Sequence, residues 1–190
     1  MDFYDLKGML DALTDGLRIA AVHYEPADHP TFHPGKCAHL LAGERTLGVF
    51  GELHPQVKER YDLPQTAAAT PLLVADLDFD ALMALIPPLY AVETVPAFPP
   101  VLEDLAVVVD EALPPGHVAE VIAEAGGKMV TGVRLFDVYR SEQIGADKKS
   151  LAYSITYQAT DKTLTDKDVA GIRQRIVRRL EQAVGAKLRS

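Results

Sequence analysis

Tyr139 ends a run, Leu135-Phe136-Asp137-Val138-Tyr139, whose residue types alternate. Phe136 and Val138 take one parity, Asp137 and Tyr139 the other. Leu151, Tyr153, Ile155 and Tyr157 alternate in the same way with Ala152, Ser154 and Thr156. A side-chain period of two puts each set on one face of a sheet. One face is large and apolar and belongs against helices. The other presents Asp137, Tyr139, Ser150, Ala152, Ser154 and Thr156. A small, polar face that keeps one tyrosine is either solvated surface or a platform for a flat ligand, and the pattern leaves both open. Lys148 and Lys149 sit on the loop leading into Ser150, at the rim of that face. An aromatic ring with rim cations is the minimal equipment for stacking a base and holding its phosphate.

Other chemistries find less support. His23, Glu25, Asp28, His29, His33, Cys37 and His39 crowd one stretch, and a metal would need several of them to converge. His29 and His33 have the spacing of two ligands on one helix face, but Pro30 and Pro34 forbid that helix. Gly126-Gly127 falls at the end of a helix rather than at its start, so it is no phosphate loop. No serine stands in a nucleophile-elbow context. Asp76, Asp78 and Asp80 read as a solvated helix entry. The arginines Arg173, Arg175, Arg178 and Arg179 read mostly as a solvated helix face. No catalytic residue, cofactor site or metal site is expected.

The elements that must position Tyr139 follow from the rest of the chain. At 190 residues, 48% hydrophobic and 24% charged, the chain can form two ordinary domains. No window reaches the eighteen or so apolar residues of a membrane span, and the first ten residues are not a secretory signal. A single cysteine, Cys37, fits a reducing cytosol. The net charge of -8 argues against a general nucleic-acid binder, but it is unevenly spread. Residues 1–92 hold six Lys and Arg against thirteen Asp and Glu, and residues 93–133 hold one against seven. Residues 134–189 hold twelve against seven.

Spacing predicts a helix over 3–14, a strand over 17–24, an irregular loop through His29-Pro30 and His33-Pro34-Gly35, and a hairpin of 36–42 with 46–53. A short helix from Pro55, a strand over 72–77 and a helix capped by Asp78 follow. Prolines between Pro87 and Pro100 place a boundary near Val92, giving domains 1–92 and 93–190. The second has a strand over 105–109, a helix ended by Gly126-Gly127, strands over 129–139 and 150–157, and a helix opened by Thr165 and Asp168. A short last strand from Ala186 completes it. Strand, helix, strand, strand, helix, strand is the ferredoxin-like order, with both helices on one face of an antiparallel sheet. The fold class is α+β. Ala106 and Val108 then look out beside Tyr139 and Ser150. An RNA-recognition motif shares this βαββαβ topology, but its two-aromatic signature is absent.

Several motifs carry a resemblance. Pro100-Val101 with Asp104 to Asp110, Leu135 to Tyr139, Lys149 to Ala152 and Thr163 to Asp166 resemble the ferredoxin-fold anticodon-binding domain that closes the β subunit of bacterial phenylalanyl-tRNA synthetase. Asp2 to Gly8, His33-Pro34-Gly35-Lys36 and Gly51-Glu52-Leu53-His54-Pro55 resemble the catalytic-like module before it in that subunit. The resemblance implies an α2β2 cytoplasmic enzyme that joins phenylalanine to tRNA(Phe) with ATP and magnesium, its chemistry in the α subunit. This chain would be a C-terminal fragment whose partners are tRNA(Phe), the α subunit and the rest of the β subunit. Carried over by motif, Tyr139 would stack on the first anticodon base, with Asp137, Ser150 and Ala106 lining its pocket. Lys148 and Lys149 would hold phosphate. One departure stands out: the family usually has Arg before the Asp of the first strand, where this chain has Glu103. Two rival readings are a ferredoxin-like regulatory or protein-interaction module without RNA binding, and a small metalloenzyme in the first unit.

Overall fold

Two four-stranded antiparallel sheets organise the chain, one in each of two units, Met1–Val92 and Glu93–Ser190. The computed structural model describes residues 1–61, 71–89 and 95–189, so the boundary expected near Val92 lies outside the described residues.

In the first unit α1 (Phe3–Gly16) is followed by β1 (Val22–Pro26), β2 (Phe32–Ala42) and β3 (Arg45–Leu53). Then come α2 (Pro55–Arg60), β4 (Leu73–Leu77) and α3 (Phe79–Leu85), and the sheet order is β1-β2-β3-β4. Asp2 caps α1 by accepting from the Tyr4 and Asp5 amides, while the Asp5 carboxylate accepts from the Asp2 amide. Phe3 stacks on Phe50 with ring centroids 5.2 Å apart. Phe50 belongs to a core with Leu10, Leu40, Leu47 and Leu82.

Two expectations fail here. Residues 17–21 are not strand: α1 runs on to Gly16, and Arg18 and Ala21 take positive φ of 59° and 55°, turning the chain before β1. The loop expected through His33-Pro34-Gly35 is instead absorbed into β2 as an irregularity between Phe32 and Cys37. That irregularity explains two of the motifs. Gly35 has φ +79°, and the Lys36 carbonyl lies 2.3 Å from where a Gly51 Cβ would stand, so residue 51 can carry no side chain. Lys36 Nζ pairs with Glu52 Oε2 at 2.6 Å, and the His54 amide donates to the Thr31 carbonyl at 2.9 Å. His54 Nδ1 then caps α2 ahead of Pro55.

The second unit runs β5 (Val101–Asp110), α4 (Pro115–Gly126), a 3-10 turn, β6 (Val130–Tyr139), β7 (Lys148–Tyr157), α5 (Asp166–Val184) and β8 (Lys187–Leu188). Its sheet order is β6-β7-β5-β8, which with the element order is the ferredoxin-like fold. Leu105, Val107 and Val109 of β5 and Leu151, Tyr153, Ile155 and Tyr157 of β7 form one core with both helices. The helices contribute Val118, Val121 and Ile122 from α4, and Val169, Ile172, Ile176 and Leu180 from α5. Tyr153 satisfies its hydroxyl by donating to the Pro115 carbonyl at 2.8 Å. Gly127 ends α4 at φ 62°.

The start of α5 is a capping box. The Thr165 hydroxyl accepts from the Asp168 amide, and the Asp168 carboxylate accepts from the Thr165 amide at 3.0 Å. These bonds, with Lys162 at 3.0 Å, hold the Asp168 carboxyl down at about 2. A depressed folded value gives stability that is present above the unfolded carboxyl range, near 4, and lost as pH falls toward the folded value. Acid unfolding of the second unit should therefore include a component between about pH 4 and pH 2 that vanishes in Asp168→Asn. Thr165→Ala should cost about 1 kcal/mol at neutral pH. Thermal melts across that pH range test both, and a variant whose acid transition overlays the parent's removes the cap from this account.

Candidate nucleic-acid interface

The register fixes what shares the helix-free face. Tyr139 stands opposite Ser150, Ser150 opposite Val108, and Val108 opposite Lys187, a row across all four strands. The next row is Asp137, Ala152 and Ala106, and the one after it Arg134, Ser154 and Asp104. Residues paired across antiparallel strands project to the same side, so Tyr139, Asp137, Ser150 and Ala106 lie together as their parity predicted. Among the described residues of this unit, α4 and α5 pack on the opposite side. Tyr139 is 43% exposed and Asp137 is exposed, whereas Ser150 is only 2% exposed. The small side chains of Ala106 and Ala152 leave a shallow floor beside the tyrosine.

The two lysines separate. Lys148 begins β7 on the open side and forms a salt bridge with Asp110. Lys149 does not lie at the rim. The strand begins earlier than expected, so parity turns Lys149 to the helix side opposite Val109. There it is 6% exposed, and its Nζ donates to the Glu111 carbonyl at 2.7 Å. Arg140 is also engaged, donating from Nε and Nη2 to the Glu111 carboxylate, with Nη2–Oε1 at 2.7 Å. That bidentate contact holds the Glu111 carboxyl below its ordinary range. Phe136, expected on the apolar face, is 50% exposed because β6 slips register between Leu135 and Asp137. The slip is a bulge in an edge strand, and it keeps Asp137 and Tyr139 in phase with Ala152 and Ser150.

Arg189 and Arg134 are the residues that sequence reasoning missed. The Arg189 Cζ lies 5.0 Å from the Tyr139 ring centroid, and its Nη1 donates to Ser150 Oγ at 3.3 Å. Only strand pairing could reveal it, because β8 is two residues long and shows no periodicity. Arg134 has the parity of Phe136 and Val138, and only the bulge between Leu135 and Asp137 brings it to the open face, opposite Ser154.

Glu103 faces the helix side, opposite Ile155, and pairs with Arg173 of α5 at 3.3 Å. It is therefore a structural partner rather than part of the open face. Burial, and then Glu103, push the Tyr157 hydroxyl up to about 12. In the first unit the histidine-rich stretch disperses. His23 Nδ1 contacts the Ala21 carbonyl, His33 Nδ1 the Pro34 carbonyl, and His29 Nδ1 accepts from the Thr31 amide. Burial, then Asp28, raises the Cys37 thiol. No three His, Cys, Asp or Glu side chains converge on a common point among the described residues.

Residues 96–189, the unit with the ferredoxin-like topology, match the family model of the ferredoxin-fold anticodon binding domain. Residues 1–79 match the phenylalanyl tRNA synthetase beta chain CLM domain. The chain is 45% identical over 192 residues to the phenylalanine–tRNA ligase beta subunit of Moorella thermoacetica, covering all of this chain and 23% of that protein. It is 42% identical over 189 residues to that of Symbiobacterium thermophilum, again over the whole chain and 20% of the relative. The chain belongs to the phenylalanyl-tRNA synthetase β-subunit family, and it spans about a fifth to a quarter of the length of these relatives.

The Glu103–Arg173 pair yields a direct test. Glu103→Arg sets two guanidinium groups together. It should destabilise the second unit by about 1–2 kcal/mol, and Glu103→Arg with Arg173→Glu should recover most of the loss. Urea unfolding of Glu103→Arg, Arg173→Glu and the double variant decides: additive losses would mean that the pair is incidental.

Proposed function

We propose that the second unit, residues 93–190, recognises the anticodon of tRNA(Phe) on its open sheet face, within an α2β2 phenylalanine–tRNA ligase. The observation that carries this reading is the exposed Tyr139 ring flanked by Asp137 and Ser150 over an alanine floor. The ring stacks the first anticodon base. The Asp137 carboxylate accepts from base N–H groups, and the Ser150 hydroxyl can donate or accept. The first unit, residues 1–92, serves as the C-terminal part of a catalytic-like module whose main partner is the α subunit. Its support is the apolar surface left open on that unit: Tyr4, Phe79 and Met83 are 75%, 70% and 51% exposed. ATP and magnesium act in the complete enzyme, away from this chain.

Magnitudes restrict the binding mode. A stacked base contributes roughly 1–3 kcal/mol, while micromolar affinity needs about 8 kcal/mol. Lys149 is buried, and Lys148 and Arg140 are committed to carboxylates. Phosphate contacts then fall to Arg134 and Lys187, with Lys148 only if it leaves Asp110. With about three phosphates neutralised, log affinity should fall against log salt with a slope of about -2.

In the complete ligase, Tyr139→Ala should raise the KM for tRNA about tenfold and leave amino-acid activation unchanged, since stacking serves only the tRNA step. Aminoacylation and ATP–pyrophosphate exchange, measured side by side, test this; equal losses in both would make Tyr139 a fold residue. The 190-residue chain alone should give no phenylalanine-dependent exchange. Exchange above a mock preparation would overturn the assignment of chemistry to the α subunit.

A further inference from the structure

Arg189 extends the pairing of β8 by one residue: its amide donates to the Ala106 carbonyl at 2.9 Å. It therefore stands in the row of Asp137, Ala152 and Ala106, on the open face. From this edge its side chain reaches across β5 and β7 to lie over the Tyr139 ring, with Nη1 on Ser150 Oγ. We propose that Arg189 is the second jaw of a base clamp: it holds an RNA base against Tyr139, and in the free chain it rests on the tyrosine in the base's place. This rests on the anticodon-binding reading above.

The chemistry and the geometry agree. A guanidinium is planar and stacks equally well on a phenol ring or on a nucleobase. Stacked bases stand about 3.4 Å apart, so a base inserted between two planes needs them roughly 7 Å apart. From 5.0 Å, Arg189 must withdraw by about 2 Å, which an exposed side chain achieves by rotamer change while its backbone bond to Ala106 stays intact. The same movement frees the Ser150 hydroxyl, which is otherwise almost fully covered. One side chain thus uncovers both the stacking surface and a hydrogen-bonding group, then closes over the base. A lysine at this position would keep the charge but offer no plane.

The test uses the 190-residue chain and an anticodon stem–loop RNA with 2-aminopurine at the first anticodon position, whose fluorescence is quenched by stacking. Arg189→Ala should weaken binding about three- to tenfold and relieve much of the quench. Arg189→Lys should keep the salt slope of the parent but not its quench. Tyr139→Ala is measured in parallel. If it leaves binding and quench unchanged, the open-face reading falls together with the clamp. If it weakens binding while Arg189→Ala does not, only the clamp falls. Tighter binding by Arg189→Ala would make the arginine a simple obstruction, and that also overturns the proposal. Arg189 is exposed and bonds the sheet through its backbone, so both Arg189 variants should stay folded, their thermal melts displaced only slightly by the lost contacts with Tyr139 and Ser150.

Discussion

The second unit depends on the phase of one strand. β7 lies between β6 and β5, and Leu151, Tyr153, Ile155 and Tyr157 are all fully buried against the two helices. Each such side chain contributes on the order of 1.5–3 kcal/mol. A slip of one residue would drive Ser150, Ala152, Ser154 and Thr156 into the core and put four large side chains in water. The packed side therefore fixes the register, and the register decides which residues meet on the other side. Ser150 beside Tyr139, and Ala152 beside Asp137, are consequences of burial elsewhere. The open face can carry small and polar residues because the core does not need them.

That division also explains what could be read in advance. Parity survives in any strand long enough to alternate, so the positions of Asp137, Tyr139, Ser150 and Ala106 were legible, as was the capping box of Thr165 and Asp168. Parity fails where the backbone departs from strict alternation or where a strand's start is misplaced. Phe136 sits in a bulge that costs β6 one residue of phase. The sequence pattern places Lys149 in a loop, whereas two more residues of β7 turn it inward. Arg18 and Ala21 adopt left-handed backbone that neither residue type announces. Arg189 was beyond reach for another reason: its significance lies in a contact across a fifty-residue gap in sequence from Tyr139, made from a strand of two residues.

In the first unit the motifs around Asp2, Gly35 and Gly51 are structural devices. Gly35 and Gly51 let an irregular β2 pass close to β3, Lys36 and Glu52 tie the two strands, and His54 with Pro55 starts α2. Asp2, Phe3 and Asp5 fix α1 to Phe50. Lys7 bridges to Asp11 at 2.9 Å and lies over the Tyr24 ring, whose hydroxyl donates to the same carboxylate. Asp2, Phe3, Asp5, Lys7, Lys36, Glu52 and His54 are thus engaged within the unit, and its candidates for contact with other molecules include the exposed apolar side chains of Tyr4, Phe79 and Met83.

The cations of the second unit show how little charge the proposed nucleic-acid face carries. Residues 134–189 carry the positive excess, yet much of it is used internally. Arg173 neutralises Glu103, and Arg175 donates to the Ala125 and Gly126 carbonyls at the end of α4, where a helix favours a cation. Arg140 and Lys149 both bind Glu111, one at its carboxylate and one at its carbonyl, and so brace the β5 end of the sheet. These contacts hold the scaffold that presents Tyr139 without adding charge to the open face. What remains there is a ring, a carboxylate, a hydroxyl and a few cations. On the proposed reading such a set would discriminate by stacking and hydrogen bonding more than by attraction to phosphate. A diffuse positive surface would bind any RNA, whereas a sparse one obliges the base itself to supply much of the affinity.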